Sequence, residues 1–171
     1  MARRIVAVFV LAIVAAASLA ATREEDAKKY AADLKSKNAK VRLTALTELG
    51  KLGAIQRKLT EPYTSDIIGV LNDSDDKVRA EAARTLARID PKEKKDLVEK
   101  LVELLKSEKS EAAREGQETG LGELGATSDD SEVKKMAREA LLEARKKTDS
   151  KREQKTIQAA LILIAGPKKK N

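Results

Sequence analysis

Cysteine, histidine and tryptophan are absent from the 171 residues. Without cysteine there are no disulfides and no thiolate metal sites. Without histidine the commonest general base and the commonest transition-metal ligand are both missing. Aromatic residues are scarce as well: Phe9, Tyr30 and Tyr63 are the whole set. Binding to single-stranded nucleic acid usually needs stacking aromatics, so no nucleic acid is expected as a partner. What fills the chain is Ala, Leu, Lys, Arg and Glu, a composition that favours helix. The net charge is +7, with both signs interspersed as on a solvated helical surface.

Residues 1–20 differ from the rest. Arg3 and Arg4 form a short positive region, Ile5 to Ala17 is apolar without a charge, and Ser18-Leu19-Ala20 offers small residues for cleavage after Ala20. This is the pattern of a secretory signal peptide. It predicts an exported protein, periplasmic or secreted, with no membrane span after cleavage. An uncleaved N-terminal anchor is the other reading, because Ile5 to Ala21 is nearly long enough to span a bilayer. The folded region is expected over 21–166, and 167–171 reads as a basic tail.

Across the folded region a single pattern recurs. VRAEAARTLARID (78–90) places Val78, Ala82, Leu86 and Ile89 on one helical face. VRLTALTELGKLG (41–53) and AREGQETGLGELG (113–125) follow the same template, and EQKTIQAALILIA (153–165) is a loose fourth copy. Their first positions lie 37, 35 and 40 residues apart, a period that means stacked helical hairpins. Asn38, Asp75, Ser110 and Ser150 precede the copies by three residues, where helix N-caps belong. Between the copies, apolar periodicity over 24–35, 62–71, 91–105 and 130–147 supplies the first helix of each hairpin. Pro62 and Pro91 are expected at first helical positions, with Asp90 capping the second of these helices. Gly53 reads as a helix stop. The gap 54–61 reads as a connector with a short helical turn packed by Ile55 and Leu59. Ser150 and Glu153 read as a capping box. Gly116, Gly120, Gly122 and Gly125 make the third copy the weakest helix of its row by propensity, with close packing of a neighbouring backbone against Gly120 as one reason to keep it.

The V-R-x-x-A-x-x-x-L-G-x-L-G of 41–53 and the V-R-x-x-A-x-x-x-L-A-x-I of 78–89 resemble the HEAT-repeat family. The resemblance covers roughly 24–166 and is weakest in the fourth copy, which lacks the Val-Arg pair. It implies an all-α, right-handed α-solenoid of about four hairpins, with the second helices lining a concave face and protein binding as the default role. It also implies that Arg42, Arg79 and Arg114 form a ladder between repeats through the cap residues Asn38, Asp75 and Ser110. Since only Asp75 is a charged cap, some rungs of that ladder would rest on neutral acceptors.

The leading expectation is therefore an exported scaffold without catalytic activity or cofactor, holding a protein partner. Its candidate surface is Thr44, Thr47, Lys51, Glu81, Arg84, Arg88, Glu118 and Glu123. Two other readings stand beside it. One is an enzyme subunit working through carboxylates, using Asp73, Asp75 and Asp76 or Asp129 and Asp130, or a relative of HEAT-like lyases. The other is a module binding anionic surfaces or nucleic acid through the basic excess. In the last helix Ala159, Ile162 and Leu163 have no assigned partner within four hairpins. They are either covered by the preceding helix or exposed as an apolar end that could pair two copies into a homodimer. The export reading is checked by intact-mass measurement of envelope-fraction protein. The chain should begin at Ala21, and a full-length membrane-embedded species would mean an anchor.

Overall fold

The computed structural model describes residues 21–167, all of whose regular elements are helical. The signal-peptide reading of 1–20, and the tail from 168 on, lie outside the described residues. Helix α1 runs over residues 21–33. It is followed by α2 (Ala39–Ile55), α3 (Thr64–Gly69), α4 (Asp76–Ile89), α5 (Lys94–Ser107), α6 (Glu111–Thr127), α7 (Ser131–Lys147) and α8 (Lys151–Ala165). Short 3-10 turns at Arg57–Leu59, Glu61–Tyr63 and Val70–Asn72 flank α3.

Even-numbered helices pack side by side, α2 on α4, α4 on α6 and α6 on α8. Among the odd-numbered helices α5 packs on α7, and α5 and α7 both touch α6. A continuous apolar core runs through the helices. Leu46 and Leu49 of α2, Leu86 and Ile89 of α4, Leu101 of α5, Leu121 and Leu124 of α6, Leu141 of α7 and Ile157 of α8 are all fully buried in it. No described helix is long and apolar enough to cross a membrane.

The caps explain where the even helices begin. Asn38, Asp75, Ser110 and Ser150 each accept a hydrogen bond from a first-turn N–H of α2, α4, α6 and α8. Each cap's own N–H is held in turn by the side chain two residues earlier: Ser36, Asp73, Glu108 and Thr148. Asp130 and Ser128 repeat the device at α7. Every even helix thus starts from the same stapled turn, with one or two of its orphan first-turn N–H groups satisfied by the cap.

Several local expectations fail for reasons of packing. Gly53 does not end α2, which continues to Ile55. A Cβ there would overlap Ile89 and crowd Thr60, so the glycine serves close approach instead. Pro62 sits in the 3-10 turn Glu61–Tyr63, two residues before α3. Asp90 ends α4 in a left-handed conformation (φ 51°) rather than capping α5, which begins at Lys94. In that position its carboxylate accepts from Thr127 Oγ1 at 3.0 Å and pairs with Lys94 at 2.7 Å. Leu59 is buried as expected, but Ile55 is 62% exposed. Ser150 and Glu153 form half a capping box: Ser150 Oγ accepts from the Glu153 N–H, while the Glu153 carboxylate turns to Arg114.

The largest correction concerns α6. Its glycines do not mark a weak, solvated helix. A Cβ on Gly116 would overlap the backbone of Ala80, and one on Gly120 would come within 2.9 Å of the Ala83 carbonyl, both on α4. On the other side a Cβ on Gly122 would lie 2.6 Å from Ala160 of α8. Gly69 of α3, by contrast, has open space around it. Gly116→Ala should therefore cost about 1–3 kcal/mol through overpacking. Gly69→Ala should gain about 0.4–1 kcal/mol by restricting the unfolded chain. Urea melts of both variants check the contrast, and a stabilised Gly116→Ala would overturn the close-packing account.

Candidate interaction surfaces and the polar ladder

Arg42, Arg79 and Arg114 occupy the fourth position of α2, α4 and α6. Each turns one guanidinium nitrogen back to a carbonyl just before its own cap: Ser36, Asp73 and Lys109 respectively. Each extends the other two nitrogens to a carboxylate that belongs to the next repeat. Arg42 holds Asp73 with two bonds of 2.6 Å. Arg79 holds Glu108 with two of 2.8 Å. Arg114 holds Glu153 at 2.7 and 3.0 Å. The acceptors are thus not the caps. Two of them, Asp73 and Glu108, stand two residues before a cap, and the third, Glu153, stands three after one. Asp-x-Asp at 73–75 and Glu-x-Ser at 108–110 carried that signal in the sequence. At the equivalent place in α8 stands Gln154, which makes only the local bond, to the Thr148 carbonyl.

Bidentate pairs of this kind are strong and directional. The Glu108 carboxyl is held below the usual range by its bond from Arg79, and Glu153 likewise by Arg114. Burial is the largest influence on Asp73 and works to raise its carboxyl, but the Arg42 bond, the Asp75 N–H and the charges of Arg42 and Arg79 together outweigh it and the carboxyl is also lowered. The caps form a second ladder beside the first: Ser110 Oγ donates to Asp76 at 2.6 Å, and Ser150 Oγ to Glu111 at 2.8 Å. Asp73, Asp75, Asp76 and Asp130 are therefore engaged in capping and cross-repeat bonds, whereas Asp129 is exposed. Among the described residues no group of His, Cys, Asp and Glu is placed to hold a metal ion.

The residues expected on the exposed side of the even row fall into three environments. Thr44, Lys51 and Arg88 are exposed, and Thr47, Glu81, Arg84 and Glu123 are half-buried. Glu81 pairs with Arg88 at 3.1 Å and with Arg84 at 3.8 Å. Lys51 pairs within α2, with Glu48 at 2.6 Å. The Thr44 and Thr47 hydroxyls back-bond to α2 carbonyls. Burial raises the Glu123 carboxyl against the pull of Arg88 and Arg84. Arg84, Arg88, Glu81 and Glu123 are thus brought together across α4 and α6.

Glu118 is not on that surface. It is fully buried; as a carboxylate neither oxygen finds a donor among the described residues, and as a protonated acid it donates a hydrogen bond to the Glu153 carboxylate. Burial and the negative charge of Glu153 push its pKa up to about 9. Glu115 beside it is also buried and bonds Arg152. Gln117 is buried with both amide atoms unpartnered among the described residues. In the repeat register Glu118 stands where α2 has Leu46 and α4 has Ala83, both fully buried, so alignment of the copies carried a signal for its burial that its charge obscured.

Two of the hollows among the described residues lie away from the ladder. One, of about 490 Å³, lies between the 57–65 connector and the start of α5, where Lys92 pairs with Glu61 at 3.0 Å. The other, of about 500 Å³, is a groove between α5 and α7. On α8, Ala159, Ile162 and Leu163 are exposed, the two large residues by 60% and 50%, so α7 does not cover them. Neither protein-family models nor curated proteins gave a match to the chain.

Glu118 makes stability depend on pH in a definite direction. Its carboxyl keeps its proton in the folded chain up to about pH 9, while in the unfolded chain it ionises near 4.5. Between those values the folded state holds the extra proton, so rising pH weakens the fold, by at most about 1.4 kcal/mol per pH unit. Relative to the parent, Glu118→Gln should be near neutral below pH 4.5 and increasingly stabilising toward pH 9. Denaturant melts across that window check it, and parallel stability curves would refute a buried neutral carboxyl.

Proposed function

We propose that this chain is an exported, non-catalytic HEAT-like scaffold that holds a protein partner. The hairpins would be α1–α2, α3–α4, α5–α6 and α7–α8, stacked in a right-handed superhelix with the even helices on the concave side. The observation that carries this reading is the arginine ladder. A repeated bidentate bond at the same position of three consecutive even helices holds them in a fixed row. Rigid rows of stacked repeats present extended binding surfaces. The face offered here is charged but internally paired, with Glu81, Arg84, Arg88 and Glu123 at its centre, and it suits a partner surface of mixed charge. Arg88 is exposed at that centre and is the natural anchor, since arginine is favoured where interface energy concentrates.

The test is capture from envelope extract of the producing cell, with the parent and with Arg84→Glu/Arg88→Glu. A partner retained at near-equal stoichiometry through moderate salt, and lost with the variant, is the expected result. Loss of every bound species at moderate salt would favour an anionic-surface binder instead. A partner kept equally by parent and variant would move the site off the even row.

A further inference from the structure

The exposed face of α8 and the groove between α5 and α7 are complementary. Along α8 the solvent-facing stripe carries Lys151 and Lys155 in its first half and Ile162 and Leu163 in its second. It has no acidic residue, because the only carboxylate of α8, Glu153, is buried on the opposite side. The groove has the reverse character. Its floor is apolar and half-buried, built from Val102 of α5 with Met136, Ala140 and Ala144 of α7. At its rims four exposed carboxylates, Glu99 and Glu103 on one side and Glu139 and Glu143 on the other, outnumber the two exposed lysines that also line the groove, Lys106 and Lys147. Glu99 and Glu103 have no ion-pair partner among the described residues, whereas Glu143 is taken by Lys146 at 2.6 Å and Glu139 pairs loosely with Lys135 at 4.0 Å.

We propose that α8 of one molecule seats in the α5–α7 groove of a second copy, joining molecules head to tail. Ile162 and Leu163 lie on the groove floor, and Lys151 and Lys155 meet the carboxylate rim. An amphipathic helix laid into an apolar groove is a common mode of recognition, and opposite charge at the rim sets its specificity. The competing arrangement, two α8 helices paired about a two-fold axis, is disfavoured by charge. It would bring only like charges together, and the sequence after the helix adds Lys168, Lys169 and Lys170. Because the two surfaces differ, the contact is heterologous and does not close on itself in a pair. It uses neither the arginine ladder nor the even-row face, so it stands apart from the partner-binding reading.

Sedimentation of the purified chain, with its N-terminus established by intact mass, tests the proposal. The parent should associate with rising concentration, and added salt should weaken that association. Glu99→Lys/Glu103→Lys, which spoils the groove, and Ile162→Lys/Leu163→Lys, which spoils the helix, should each weaken self-association about tenfold or more. All four positions are exposed, and circular dichroism confirms that the variants fold. Mixed in equal amounts, the two variants should form a species of twice the monomer mass that grows no further. In that pair the intact helix of the first meets the intact groove of the second, and both remaining surfaces are blocked. A parent that stays monomeric throughout overturns the proposal. So does a groove variant that associates like the parent, or a mixture that remains monomeric. Salt-insensitive association of the parent overturns it without any variant.

Discussion

The structure depends on how closely α4 and α8 can approach α6. Side chains normally hold helices 8–10 Å apart. Here the α4 face of α6 is bare at Gly116 and Gly120, and the α8 face is bare at Gly122, so Ala80, Ala83 and Ala160 come against its backbone. A helix with this many glycines is poor by intrinsic propensity. It persists because tertiary packing, not propensity, supplies most helical stability in a folded domain. Apolar burial of Leu121 and Leu124 between the neighbouring helices gives α6 that support.

The ladder acts at the other scale, setting register rather than distance. Each arginine joins the turn before its own helix to the carboxylate of the next repeat, so a slip between helices would break two directional bonds at once. Removing one partner of such a pair leaves the other charge largely buried and unpaired, a loss of about 3–5 kcal/mol in buried cases. The ladder also has an end. Gln154 keeps the local bond and drops the long one, and beyond it Ile162 and Leu163 stand exposed. The second half of α8 is thus an uncovered apolar surface among the described residues.

Buried polarity is concentrated where α6 meets α8. Glu115, Glu118, Gln117 and Glu153 are all nearly or fully buried, yet only Glu153 has a full set of charged and hydroxyl partners, in Arg114 and Thr148. A buried polar atom without a partner costs stability. For Glu118 the cost is limited by keeping the proton, which converts a charge into a neutral group at the expense of pH dependence.

Helical content, the period of the repeats and the caps at Asn38, Asp75, Ser110 and Ser150 were legible in the sequence. Each depends on residues within a few positions of one another, and apolar spacing or a hydroxyl or carboxylate before a helix reports on them directly. The exposed stripe at Ile162 and Leu163 was legible as a question, since the last copy has more apolar positions than one buried face can use. Tertiary structure alone decided the rest. Whether a glycine lowers propensity or admits a neighbouring backbone depends on what lies across from it, and Gly116 and Gly69 look alike in the chain. The ladder's true acceptors lie 31, 29 and 39 residues from their arginines. An acidic residue two positions before a cap marked Asp73 and Glu108 in the chain, but nothing local marked Glu153, and only the packing of one repeat on the next joined each to its arginine.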